Sequence, residues 1–88
     1  MKIGTIHTSS GFLKEHRNLS PAIKKKLATK MLLFQENPLH PSLRLHKLSG
    51  KFEGRWSISI TMQFRVIFRQ LENSDILFVS IGTHAIYE

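Results

Sequence analysis

The sequence predicts an α+β fold in which two N-terminal helices pack on one face of a small, mostly antiparallel, twisted β-sheet. Three observations carry that expectation. Apolar residues recur at spacings of four, four and three from Ile23 to Phe34, the period of a buried helix face. From Trp56 the period changes to two, with apolar and polar residues alternating. The run from Ile76 to Ile81 is apolar on both faces, as in a strand flanked by other strands. Helices followed by a meander of strands give two layers around one core.

The elements follow in order. Lys2 to His7 is short and partly β-branched and reads as an opening strand. Thr8, Ser9 and Ser10 offer N-cap hydroxyls to a short amphipathic helix carrying Phe12, Leu13, His16 and Leu19. Ser20 caps the second helix, and Pro21 sits at its first position, where a missing N–H costs nothing. Ile23, Leu27, Met31 and Phe34 form its stripe, Ala28 and Leu32 widen it, and Asn37-Pro38 stops it. Lys24, Lys25, Lys26 and Lys30 fall on the outer arc, as a solvated face or as a contact for phosphate or an acidic partner. Leu43 to Leu48 reads as a further strand. Trp56, Ile58 and Ile60 then alternate with Ser57, Ser59 and Thr61, and Phe64, Val66 and Phe68 with Arg65, Ile67 and Arg69. Asn73-Ser74 marks a turn before the apolar strand, and the tail after Gly82 adds an edge.

Length and charge bound the function. The 88 residues suffice for one domain, 1–88, and exclude multi-domain enzyme architectures. Thirteen Lys and Arg against six Asp and Glu give +7, which predicts attraction to a polyanion. The charge is segregated. Residues 1–71 hold all thirteen bases against Glu15, Glu36 and Glu53, net +10, and the last seventeen hold Glu72, Asp75 and Glu88, net −3. The absence of cysteine removes disulfides, thiolate metal ligation and thiol catalysis, and fits a reducing cytosol. No apolar run approaches the roughly 18–20 residues of a membrane span, and Lys2, Gly4, Thr5 and His7 interrupt any secretory signal. The expectation is a cytoplasmic protein with no membrane partner.

The predicted sheet turns Trp56, Ile58, Ile60, Phe64, Val66 and Phe68 toward the helices. The opposite face then carries Ser57, Ser59, Arg65 and Arg69, a floor of small hydroxyls beside arginines that suits a backbone phosphate. Phosphate-loop, dinucleotide, nucleophile-elbow and zinc-protease motifs are absent. His7, His16, His40, His46 and His84 do not fall at metal-ligand spacings, so neither a metal nor another cofactor is expected. These side chains still suffice for RNA cleavage by the substrate's own 2′-OH. That reaction needs a base, an acid and cations around the crowded phosphorane. Histidine, titrating near about 6.5 in water, can serve as acid or base. Arginine grips two phosphate oxygens with one planar fork. Each candidate also has a structural reading: His46 as a solvated extended residue, His84 as a turn residue, Arg65 as a cross-strand partner of Glu72 or Asp75, and Tyr87 as an edge anchor.

The stretch from Leu43 to Tyr87 resembles the RelE/ParE superfamily of bacterial toxin–antitoxin toxins. The matching elements are Leu45-x-x-Leu48-x-Gly50, Gly54-x-Trp56-Ser57-Ile58, Phe64-Arg65-Val66-Ile67-Phe68 and Ile81-Gly82-Thr83-His84-x-x-Tyr87. The Leu-His-Lys-Leu-Ser-Gly and Gly-Thr-His pieces are most similar to the YafQ branch, and the Trp56 and Arg65 strands to YoeB and RelE. The resemblance implies a RelE-like microbial RNase fold and a metal-independent endoribonuclease that cleaves mRNA on the ribosome. It also implies neutralisation by a cognate antitoxin, which the +7 charge predicts to be acidic, with an apolar stripe.

Carried over by position, Arg65 matches a transition-state phosphate ligand, His84 the general acid, His46 a candidate base, and Tyr87 the aromatic that stacks or orients the substrate base. Lys47, Lys51, Arg55 and Arg69 would position the RNA backbone. The chain departs from its relatives where RelE carries two lysines, here Ser57 and Ser59. It departs again near Ser42, where YoeB has a glutamate base, and at Ser59, Met62 and Gln63, where YafQ has further central-strand groups. Two alternatives stay open: a ParE-like inhibitor of DNA gyrase without nuclease activity, and a basic nucleic-acid-binding module without catalysis.

Overall fold

The computed structural model describes residues 1–83 and Ile86. Helix α1 spans Ser10–Arg17 and α2 spans Pro21–Glu36; the strands are β1 Ile6–Thr8, β2 His46–Lys47, β3 Trp56–Ser59, β4 Arg65–Gln70 and β5 Ile76–Gly82. They form a sheet in the order β1-β5-β4-β3-β2, with β1 parallel to β5 and every other pair antiparallel. The apolar strand β5 thus has a neighbour on each side, as its two-faced hydrophobicity predicts.

The helix starts are those written in the sequence. Ser9 Oγ accepts from the Phe12 N–H and Ser20 Oγ from the Ile23 N–H, with Pro21 at the first helical position. Inside α2 the apolar stripe is narrower than expected. Leu27 and Phe34 are buried, Ile23, Met31 and Leu33 half-buried, but Ala28 is exposed and Leu32 is 64% exposed. Leu32 lies about 140° around the helix from Leu27, beyond the arc that a flat sheet can cover.

Two strands are shorter than the sequence suggests. The opening strand begins at Ile6 because the chain before it is held by the turn at 72–75. Gly4 N–H donates to the Ser74 carbonyl at 2.8 Å and Thr5 N–H to Asp75 Oδ1 at 3.0 Å. A Cβ at Gly4 would sit 2.6 Å from Asp75 Oδ1 and 3.2 Å from two carbonyls, so the close approach requires glycine. Only His46 and Lys47 of the predicted 43–48 strand join the sheet. Pro41–Leu43 form a 3₁₀ turn, and Arg44 follows in the left-handed region at φ 48°, which breaks the extension. The turn at Asn73-Ser74 is present, both residues having positive φ.

The core lies between the helices and one sheet face. Phe34 stands with ring centroids 5.1 Å from Phe68 and 6.2 Å from Phe78, and Phe12 lies 5.4 Å from Phe78. Ile58, Ile60, Val66, Ile76 and Ile81 fill the layer around them. A register shift leaves Val79 as an extra residue between Phe78, which faces Phe68, and Ser80, which faces Ile67. Helix α1 satisfies the polar groups that this bulge frees. Ser9 Oγ donates to the Val79 carbonyl at 2.9 Å, and the Glu15 carboxylate accepts from Ser80 Oγ and from the Ile81 N–H.

The second sheet face differs from an open hydroxyl floor. Ser57 and Ile67 are buried, and Ser59 is nearly so. Ser57 stands in register between His46 and Ile67, and Ser59 Oγ accepts from Arg65.

Phe34→Ala should cost about 3–5 kcal/mol in urea unfolding, whereas Leu32→Ala should stay within about 0.5 kcal/mol. Equal losses would show that the stripe is wider than described. Asp75 accepts from His7 Nε2 and from the Thr5 N–H, and these bonds, His7 first, hold its carboxyl below the usual range. Its stabilisation is complete above the unfolded value near about 3.9 and is lost as pH falls through the lowered folded one. Asp75→Asn should therefore flatten the acid limb of the Tm-versus-pH curve; a curve parallel to the parent's would refute the linkage.

Candidate functional site

Arg65 opens β4, in register with Ser59 of β3 on one side and Gly82 of β5 on the other. Its guanidinium reaches across to β3, Nη1 donating to Ser59 Oγ at 2.6 Å. Glu72 and Asp75 lie beyond the opposite end of the strand, and Asp75 is taken by His7 and Thr5, so the expected cross-strand ion pair is not formed. Among the described residues the ion pair present is His7–Asp75. The cationic side chains of this surface are therefore not neutralised by those carboxylates. A Cβ at Gly82 would collide with the Ile86 side chain, so the close approach of Ile86 to the strand position opposite Arg65 requires glycine.

His46 is exposed on β2, opposite Ser57. Its Nδ1 lies 3.0 Å from the Arg44 carbonyl, which can only accept, so Nδ1 carries the proton in the neutral ring. That leaves the Nε2 lone pair free, the form a base requires. From Arg65 it is two strands across and two residues along, roughly 12 Å between Cα atoms, a span two long side chains close around one phosphate. His84 and Tyr87 lie outside the described residues.

The other predicted contacts divide. Lys47, Arg55, Trp56 and Gln70 line one hollow of about 460 Å³, with Lys47 Nζ 5.3 Å from the centroid of the Trp56 ring. The Arg55 Nε is buried without a hydrogen-bond partner among the described residues. Lys51 stands apart, its Nζ over Phe52 on the 3₁₀ turn Gly50–Phe52. Arg69 lines a shallow depression with Glu72 and Asp75, away from Arg65. Among the described residues no group of three or more His, Asp or Glu side chains is gathered for a metal ion, and no helix is long and apolar enough to cross a membrane.

Sequence reasoning missed one cleft. Lys30, Ser42, Arg44, Ser59, Ile60, Thr61 and Met62 surround about 240 Å³ beside the Arg65–Ser59 pair. Lys30 does not belong to an outer arc: its ammonium is turned onto Ser42 Oγ at 3.0 Å. The signal was available, since Lys30 lies within about 60° of Leu27 and about 40° of Phe34 around the helix. Nothing local in the sequence brings Ser42 and Arg44 to meet it.

This architecture has known counterparts. YafQ from Escherichia coli strain BL21(DE3) superposes with a TM-score of 0.77 at 23% sequence identity, over 93% of this chain and 94% of that one. A YoeB/ParE toxin from Agrobacterium tumefaciens gives 0.76 at 14% identity, over 92% and 99%. YafQ of the Escherichia coli DinJ–YafQ toxin–antitoxin complex gives 0.70 at 22% identity, over 98% and 97%. The α+β arrangement is thus that of RelE-like toxins. A search of curated protein sequences gives no match. The profile described as the bacterial toxin of type II toxin–antitoxin systems, YafQ, matches residues 5–87, and the chain belongs to that family of toxins.

Proposed function

We propose that this toxin is a metal-independent endoribonuclease that cleaves mRNA on the ribosome by attack of the substrate's 2′-OH. The observation that carries the reading is an Arg65 that donates to Ser59 Oγ and has no carboxylate partner among the described residues, together with a His46 whose Nδ1 proton is fixed by the Arg44 carbonyl, leaving the Nε2 lone pair for a base. In the reaction His46 takes the 2′-OH proton and the oxygen attacks phosphorus. Arg65 then binds the non-bridging oxygens as negative charge builds on them. His84 gives its proton to the 5′-leaving oxygen, and Tyr87 stacks on the substrate base. Lys47 and Arg55 bind the backbone beside Trp56, and Lys51 and Arg69, which stand apart from the Arg65 site, meet phosphates farther along the strand.

The same surface favours an acidic partner. The Escherichia coli relative is described in complex with DinJ, and a cognate antitoxin is proposed for this chain too. Leu32, Leu39 and Met62 are exposed on a chain of net charge +7, which suits an acidic segment with an apolar stripe.

Stripped of metal by EDTA and then dialysed free of the chelator, the protein should cleave mRNA on translating ribosomes to fragments with 2′,3′-cyclic phosphate ends. His46→Ala and Arg65→Ala should each lower the rate by about 10²–10⁴-fold, and Arg65→Lys should restore only part, because an ammonium cannot fork two oxygens. A metal requirement, or full activity without His46 and Arg65, would overturn the reading; inhibition of gyrase supercoiling without RNA cleavage would replace it with a ParE-like one. The adjacent gene should encode a small acidic protein that restores growth to cells expressing the toxin and co-purifies with it. A neighbour that is basic, or that does not bind, would refute the partner assignment.

A further inference from the structure

We infer that the cleft between α2 and the β3–β4 hairpin is a second phosphate subsite, which binds the RNA phosphodiester next to the one that is cut. The inference deepens the RNA-cleaving reading and rests on it. Among the described residues its walls carry two cations, Lys30 and Arg44, and three hydroxyls, Ser42, Ser59 and Thr61, and no carboxylate. Ser59 belongs to this cleft and at the same time accepts from Arg65, so the subsite adjoins the proposed scissile phosphate through one shared residue.

The cations are held in place before any ligand arrives. Ser42 N–H donates to His40 Nδ1 at 3.1 Å, so that nitrogen is an acceptor and the neutral ring carries its proton on Nε2. The Ser42 hydroxyl, 2.9 Å from the same nitrogen, then donates to it and turns its lone pairs to Lys30, whose ammonium donates at 3.0 Å. One N–H of Lys30 is spent on orientation, and the others remain for a ligand. Arg44 is fixed differently, by a left-handed backbone at φ 48° and ψ 45° that a non-glycine residue adopts only when its surroundings impose it. That conformation lets its side chain line the cleft while its carbonyl accepts from His46 Nδ1. Ligand binding at Arg44 and the proton position on His46 therefore meet in one residue.

A phosphodiester fits better than the carboxylate of an acidic partner. The cleft of about 240 Å³ has room for a phosphate with part of its ribose, and Ile60 and Met62 supply an apolar wall for the sugar. Hydroxyls beside a forked guanidinium match tetrahedral oxygens.

The test uses the intact toxin and a short RNA with a 2′-O-methyl group at the cleavage position, which binds without being cut. A neutral methylphosphonate is placed at one linkage at a time and affinity is read by fluorescence anisotropy. Neutralising the linkage beside the scissile one should weaken binding to the parent about tenfold. The same change should cost nothing in a Lys30→Gln/Arg44→Asn variant, asparagine being chosen because it tolerates left-handed backbone. Lys30→Gln alone, with Arg44 intact, should lose about half of that discrimination on a logarithmic scale, and a Lys14→Gln control none of it. An undiminished methylphosphonate effect in both cleft variants overturns the subsite, as does RNA affinity unchanged in them while the antitoxin no longer binds. Cleavage of unmodified mRNA by the parent, measured alongside, reports separately on the nuclease reading.

Discussion

The structure depends on Phe34. Its ring meets Phe68 and Phe78 from the helix side, in a molecule whose main sheet face is covered by two short helices. A chain of this length has little other apolar area with which to fix a helix on a sheet, so one aromatic contact sets both the height and the rotation of α2. That rotation decides more than stability. Lys30 sits one turn before Phe34, and with Phe34 buried it must lie over the edge of β3, within reach of Ser42. The hydrophobic core thereby aims a cation.

The same economy governs the acidic residues. Glu15 is spent on Ser80 and the Ile81 N–H at the bulge, and Asp75 on the Thr5 N–H and His7. Both hold a strand or helix end against the sheet, and neither is left to quench a lysine or arginine. Because Glu15 is held at β5 and Asp75 at the end of β1, the surface over β2–β4 carries more positive charge than an even spread of the +7 would give it.

Periodicity made most of the fold legible: the caps at Ser9 and Ser20, the α2 stripe from Ile23 to Phe34, the alternation around Trp56 and Val66, and the two-faced β5 all stand where local pattern puts them. What could not be read came from non-local geometry. The width of the α2 stripe depends on how much of a helix a flat sheet covers, which no window of sequence contains. The 43–48 segment looks extended by composition, yet the 3₁₀ turn at Pro41–Leu43 and the left-handed Arg44 reduce it to two paired residues. At the site, Arg65 was legible because its strand neighbours fix its face. The cleft of Lys30, Ser42 and Arg44 was not, since it joins a helix, a turn and a hairpin.

The departures from RelE gain a physical meaning in this geometry. RelE has two lysines where β3 carries Ser57 and Ser59. Here the serine at 59 accepts from Arg65, which ties one guanidinium nitrogen to β3. A lysine there would stand as a second cation against it, and the hydrogen bond that orients the fork would be lost. The two arrangements differ in kind: one gathers point charges along a strand, the other fixes one arginine with a hydroxyl and draws further cations from outside the sheet. Lys30 from α2 and Arg44 from the turn before β2 are those cations. The turn that presents Arg44 also presents the carbonyl that sets the His46 tautomer. In the proposed reaction, charge that one branch keeps on a strand is moved to a helix and a strained turn, and the position of the base is tied to the same strain.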